Sequence, residues 1–220
     1  KLGYSAAALA DVNRRSIDLM VELRDAHQTK DAPMVISGCV GPRGDGYDPG
    51  RAVNNTIRLV QQEQVFAMFS SLGTSNNLAV RKLLNDAKVP QLFVSSGATT
   101  FGRDYRKYPW TIGYIPPYSE EGAIYGQYVV KKIKKPKIAV LYQNDDYGRD
   151  YLKGFKEGLG AKAKTMIVSE ASYELTDPTV DSQIVQLKGS GADVLMSFST
   201  AKAAIQTLRK LHDTGWKPTH

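Results

Sequence analysis

The sequence predicts an α/β protein built on parallel sheets flanked by helices. Three observations carry that prediction. From residue 51 onward, short apolar runs alternate with amphipathic stretches in a regular cycle. The apolar runs are rich in Val, Ile, Leu and Phe and too short for buried helices, as in strands covered on both faces. Gly, Pro and Ser punctuate the intervals, so each strand and helix reads as half of a βαβ unit.

The N-terminal segment reads as a helix over 6–27, because Leu9, Val12, Leu19, Met20 and Leu23 keep a spacing of three and four behind Ser5, a good N-cap. Residues 34–40 read as a short strand and the Gly- and Pro-rich 41–50 as a loop. A helix over 52–63 carries Val53, Ile57 and Val60; a strand over 65–69, a helix over 77–87 and a strand over 91–94 follow. Residues 108–117 are expected to run extended, since Pro109, Pro116 and Pro117 forbid a regular helix while Ile112 and Ile115 favour a partly buried path. This stretch reads as a crossing between two lobes, the alternative being a strand and loop inside one sheet. A helix through Tyr125, Tyr128 and Val129 then leads to a strand over 137–142. Helices over 147–158, 179–188 and 201–213 alternate with strands over 165–169 and 194–198. Strands 137–142 and 194–198 are expected to lie parallel in one buried sheet. The predicted division is 1–50, a helix-strand fragment joined to the first lobe; 51–110, the first lobe; and 111–220, part of a second.

Composition narrows the function classes. Hydrophobic residues make up 42% of the 220 and charged residues 23%, and no apolar run approaches the roughly 20 residues a bilayer-spanning helix needs. The net charge of +7 is spread along the chain, and its densest cluster, Lys131, Lys132, Lys134, Lys135 and Lys137, falls at a predicted helix end that favours cations. No nucleic-acid partner is expected. Cys39 is the only cysteine, so it has no intrachain disulfide partner and reads as a small buried strand residue. The segment from Lys1 lacks the charged start, apolar core and cleavage site of a secretion signal, which is expected to have been removed or to lie outside this sequence.

Catalytic patterns are thin. His27, His212 and His220 lack a nucleophile in any recognised arrangement, and the glycine-rich GPRGDG at 41–46 lacks both the Lys-Ser/Thr ending of a phosphate loop and the dinucleotide spacing. No enzyme activity, cofactor or metal is expected. Anion binding has better support. Hydroxyls and backbone N–H groups at helix starts hold a carboxylate well, and two strand-to-helix loops, Ser70-Ser71-Leu72-Gly73-Thr74-Ser75 and Ser95-Ser96-Gly97-Ala98-Thr99-Thr100, supply both. Ser71, Ser96 and Thr99 are expected to converge on one concavity; the plainer alternative leaves them as turn formers.

These residues carry a resemblance. DGYDPGRAV, LVQQEQVFAMFSSLGT, VPQLFVSSGAT, YPWTIG, KIAVLYQNDDYGRDYLKG, SYELTDPTVDSQIVQLKGSGADV and GWKP occur in order, and from about Asp45 to His220 the chain resembles the leucine/isoleucine/valine-binding protein family of ABC-transporter receptors. The resemblance implies a periplasmic-binding-protein type I fold with two lobes hinged around a cleft, expected here to be incomplete at both ends. It also implies a periplasmic or lipid-anchored extracytoplasmic location, a small amino acid or related carboxylate as ligand, and a membrane permease as partner. By the same resemblance Ser71, Gly97, Ala98 and Thr99 fall at first-lobe ligand positions, and Tyr147 at that of a tyrosine covering the ligand. Thr200 falls where the family often has an aromatic contact, a departure that bears on specificity. The acid that commonly pairs with the ligand ammonium would lie beyond His220.

The first fifty residues differ. GYSAAALADVNRRSIDLMVELRDAHQ followed by APMVISGCVGPRGDGYDP resembles the start of homocysteine S-methyltransferases, and the two resemblances meet at 45–51. A fusion or chimera is the expectation drawn from this junction. It also leaves 34–40 to stand in for the receptor's second strand, with nothing at 1–5 to supply the first. The alternative functions are therefore a zinc-dependent homocysteine S-methyltransferase fragment, whose thiolate ligands are lacking since Cys39 stands alone, or a non-functional engineered chimera.

Overall fold

The computed structural model describes residues 5–34 and 47–220, which fall in two units, Lys1–Val40 and Gly41–His220. In the first unit, α1 (Ala6–His27) begins where the Ser5 hydroxyl accepts the Ala8 N–H at 3.1 Å, and it ends with Arg24 and His27 in the last turn, where cations suit the dipole. The readings made for 35–46, including most of the strand over 34–40, Cys39 and GPRGDG, lie outside the described residues.

The second unit opens with α2 (Pro49–Gln61), which starts at Pro49 rather than at 52 because Asp48 caps it, accepting the Arg51 N–H at 3.0 Å, and proline suits the first helical turn. There follow β1 (Met68–Phe69), α3 (Thr74–Asp86), β2 (Gln91–Val94), α4 (Thr100–Arg103) and β3 (Thr111–Gly113). These strands form one parallel sheet in the order β1-β2-β3. Of the extended stretch over 108–117, then, Thr111–Gly113 pairs within this sheet.

Polar side chains fasten α3 to that sheet. Gln91 donates to Asn77 Oδ1 at 2.9 Å and accepts from Thr111 Oγ1 at 3.0 Å, and Asn85 Nδ2 donates to Thr111 Oγ1 at 2.8 Å. Gln91, Asn77 and Thr111 are all buried, so each of these bonds spares a polar group the cost of going unpaired. Arg81, also buried, lies over the Tyr108 ring at 3.9 Å and donates to Thr100 Oγ1 at 3.0 Å.

Nearby, Asp104 is held at a pKa of about 2, first by the hydrogen bond from Arg103 and then by that from the Thr100 hydroxyl. A carboxylate depressed on folding stabilises the fold above its ordinary value near 3.8 and loses that contribution as pH falls toward 2. With a quarter of the side chain exposed, solvent screening leaves about 1 kcal/mol. Asp104→Asn is therefore expected to flatten the pH dependence of urea unfolding between about 4 and 2. An unchanged profile in that window would remove this role.

The remaining elements build a second sheet: α5 (Tyr118–Lys132), β4 (Ile138–Gln143), α6 (Asp146–Leu159), a 3-10 turn (Gly160–Lys162), α7 (Ala163–Met166), β5 (Ile167–Tyr173), α8 (Asp181–Gly189), β6 (Val194–Phe198) and α9 (Ala201–Thr214). Its order is β5-β4-β6, all parallel, so strands 137–142 and 194–198 of the sequence reading lie side by side as expected. Alternation along β4 sorts the core into two layers. Ala139 and Leu141 pack with Ile184, Leu187 and Leu211 beneath α8 and α9, whereas Ile138 and Val140 pack with Val129, Leu152 and Phe155 beneath α5 and α6. Both faces are covered, which is why the central strand reads as an unbroken apolar run. The strand expected over 165–169 starts later and runs on to Tyr173, because 163–166 completes a helical turn.

Candidate functional site

Parallel strands deliver their carboxyl ends to one edge, and the loops leaving β1, β2, β4 and β6 surround a cavity of about 210 Å³. Gly73, Thr74 and Ser95 contribute from the first sheet, Gln143, Ser199 and Thr200 from the second, and Tyr47, Tyr118 and Tyr147 supply aromatic wall. No Asp, Glu, Lys, Arg or His is among the lining residues. Burial, followed by the phenols of Tyr173, Tyr118 and Tyr47, pushes the Tyr147 hydroxyl well above its ordinary value, and burial likewise raises Tyr47. The Tyr47 and Tyr147 hydroxyls thus stay protonated and act as O–H donors. A second cavity of about 230 Å³ adjoins, with Tyr47 and Thr200 again in its wall beside Tyr173, Val180 and Lys202.

The second-sheet side is organised by Asp145 and Gln143. Asp145 caps α6, accepting the Tyr147 and Gly148 N–H groups at 3.1 and 3.2 Å, and this sets Tyr147 at the cleft. Glycine is required at 148, because a Cβ there would lie 2.1 Å from the Gln143 carbonyl oxygen. Gln143 donates to Asp145 Oδ2 at 2.7 Å while its own oxygen accepts from Tyr173 and Thr200, each at 3.0 Å. Tyr147 reaches across to donate to the Ser199 carbonyl at 3.3 Å.

Of the residues singled out in the sequence, Tyr147 and Thr200 line the cavity. The others stand around it. Ser71 uses its carbonyl to hold Asn77 and the Ser95 N–H, and Ser96, 2% exposed, bonds Thr74 at 2.7 Å and accepts the Ala98 N–H, tying the two loops together. Ala98 packs in the core with Val94 and Phe101, and Gly97 accepts the Tyr118 N–H at 2.7 Å. Thr99 faces the second-sheet elements: its N–H donates to Asp150 at 2.7 Å and its hydroxyl pairs with Ser119 at 3.1 Å. Ser75 makes a parallel link, donating to Asp145 at 2.7 Å.

Sequence reading passed over Tyr47, Tyr118, Gln143 and Ser199. Gln143 did leave a trace, as the polar residue closing the apolar run IAVLYQ. Among the described residues no group of three or more His, Cys, Asp or Glu is arranged to hold a metal, and no helix is long and apolar enough to cross a membrane.

A family model described as periplasmic binding protein matches residues 42–220. Among curated proteins, the chain is 25% identical to a Leu/Ile/Val-binding protein homolog 7 of Brucella abortus over 97% of its own length and 54% of the relative's. Among solved structures, it is similar to a periplasmic binding protein type 1 from Bordetella pertussis Tohama I, with a TM-score of 0.73 at 17% identity over 95% of this chain and 56% of that one. It is also similar to a solute binding protein of an ABC transporter from Rhodopseudomonas palustris BisB5 in complex with 3,4-dihydroxy benzoic acid, with a TM-score of 0.66 at 21% identity over 79% and 46% of the two chains. The chain spans about half the length of the curated relatives it matches. The alignment to the Brucella protein takes in nearly all of the N-terminal fifty residues, so the chimera with a methyltransferase finds no support. With 42–220 matched and two parallel sheets flanked by helices, the chain belongs to the periplasmic binding protein family, on its type I architecture.

Proposed function

We propose that this chain is the ligand-binding part of an extracytoplasmic solute receptor of an ABC transporter, which holds a small amino acid or related carboxylate between its two sheets and presents it to a membrane permease. The observation that carries this reading is a cavity lined from the carboxyl ends of both sheets by hydroxyls and phenols with no ionised side chain. A carboxylate entering it meets Ser95 just past the end of β2 and Thr74 at the start of α3, where first-turn N–H groups lack intrahelical acceptors. Tyr147 and Thr200 then close on it from the other side. Ser71, Ser96, Gly97, Ala98 and Thr99 shape this wall, most of them from behind. Binding that engages both sheets favours the closed arrangement, which a permease distinguishes from the open one. The family is one of substrate-binding proteins, and its members work outside the cytoplasm.

One observation favours an aromatic acid among the ligands: three tyrosines wall the cavity, and a structural relative was solved with 3,4-dihydroxy benzoic acid. Calorimetric titration with leucine, isoleucine, valine and 4-hydroxybenzoate tests the reading. At least one is expected to bind, and Tyr147→Ala to weaken it about tenfold or more, equivalent to ~1.4 kcal/mol. Absence of binding across small carboxylates, together with native mass spectrometry free of retained ligand, would overturn it.

A further inference from the structure

We propose that Tyr47 is a specificity-determining partition which, with Thr200, divides the cleft into two chambers and confines the receptor to short ligands. The inference rests on the receptor reading above. Both cavities, of about 210 and 230 Å³, have Tyr47 and Thr200 in their walls. The two sides differ chemically. The chamber with Tyr147, Gln143 and Ser95 has no ionised lining, whereas the other holds Glu174, Asp177 and Lys202.

Thr200 is the fixed half of the partition. Its hydroxyl donates to Gln143 at 3.0 Å and its N–H to the Tyr173 hydroxyl at 3.0 Å. Tyr47 is the packed half. Its ring lies where a Cβ on Gly73 would come within 3.1 Å, so the missing side chain at 73, together with that residue's φ of +98°, makes the floor on which the ring rests. Ring packing holds it there, and removing the ring takes down the wall without breaking the bonds that fix Thr200. The merged space would be about twice as large as either chamber. A ligand filling the uncharged chamber therefore ends at the Tyr47 ring, and a longer one must displace it.

Two measurements test this. Titrations of wild type, Tyr47→Phe, Tyr47→Leu and Tyr47→Ala with L-leucine, benzoate and 4-phenylbutyrate compare ligand length directly. The wild type and Tyr47→Phe are expected to bind whichever short probe they accept at least tenfold more tightly than 4-phenylbutyrate. Tyr47→Ala is expected to improve 4-phenylbutyrate at least tenfold, with Tyr47→Leu between them. An unchanged length profile in Tyr47→Ala overturns the partition. The second measurement needs no ligand: in a Cys39→Ser, Ser95→Cys background, which leaves Thr200 in place and puts the thiol in the uncharged chamber alone, benzyl methanethiosulfonate should label position 95 at least tenfold faster once Tyr47 is alanine, with a methyl reagent little changed. Equal benzyl rates overturn the partition. Should no probe bind any variant, the receptor reading fails, and the labelling rates alone decide the partition.

Discussion

Replacing Gly154 by alanine is expected to lower the free energy of unfolding by about 2–3 kcal/mol, although alanine is the better helix former by about 1 kcal/mol. Helices α5 and α6 approach so closely that backbone meets backbone. A Cβ on Gly154 would lie 1.8 Å from the Ser119 carbonyl oxygen, one on Gly158 2.1 Å from that of Ala123, and one on Gly126 2.4 Å from that of Phe155. No rotamer relieves a clash between a Cβ and a carbonyl, so the helices must separate and open the layer formed by Val129, Leu152 and Phe155. Gly189→Ala in α8 is the control, since a Cβ there meets nothing within 4 Å and should be neutral or stabilising by up to about 1 kcal/mol. Urea unfolding of both proteins checks the pair. Equal effects would mean that α5 and α6 do not interlock through their glycines.

The same helices show what the sequence makes legible. Periodicity places helices through Tyr125 and Tyr147 and finds β2 and β6 at the residues where they occur, because apolar alternation and run length are local properties. That Gly122 and Gly126 face Gly154 and Gly158 is a relation between segments, and no spacing within either one announces it. Boundaries moved where a side chain replaced the expected signal. Helix α3 starts at Thr74 rather than 77, because the chain turns at Gly73 instead of carrying its loop of hydroxyls onward. The four-residue α4 escaped notice, being too short to show a period.

The candidate site divides in the same way. Hydroxyl-rich loops after β1 and β2 were visible as a composition, yet they serve different ends: Thr74 and Ser95 line the cavity, while the buried Ser96 stands behind it, its hydroxyl bonded to that of Thr74. The backbone N–H of Thr99, an obvious donor for a ligand carboxylate, is taken by Asp150 from fifty-one residues away. Such pairings depend on which loops meet across the cleft. Asp145 and Asp150 thereby tie second-sheet helices to first-sheet loops, and a ligand carboxylate that sought the Thr99 N–H would compete with a carboxylate already in place.

Gln143→Met is expected to cost about 2–4 kcal/mol of stability and to weaken ligand binding at least tenfold, although methionine matches glutamine in length. Gln143 is 1% exposed, and its amide joins three loop ends: Asp145 before α6, Tyr173 at the end of β5 and Thr200 before α9. A thioether offers neither the donor nor a comparable acceptor, so the Tyr173 and Thr200 hydroxyls lose their shared oxygen in a site too buried for water to replace it freely. Thr200 then loses the bond that holds its hydroxyl at the cavity wall, which is why affinity falls together with stability. Gln143→Glu separates the two halves of the amide. It keeps the acceptor for Tyr173 and Thr200 but sets a second carboxylate where the amide nitrogen now lies 2.7 Å from Asp145 Oδ2. Two carboxylates so close cannot both ionise cheaply, so the folded state raises the affinity of one of them for a proton. The folded protein then binds more protons than the unfolded chain, and the stability of Gln143→Glu should fall as pH rises from about 4 to 7, a dependence that Gln143→Met should lack. Unfolding measured across that range reads both effects. A methionine variant within about 0.5 kcal/mol of wild type, or a glutamate variant with no added pH dependence, would show that Gln143 does not organise these loops.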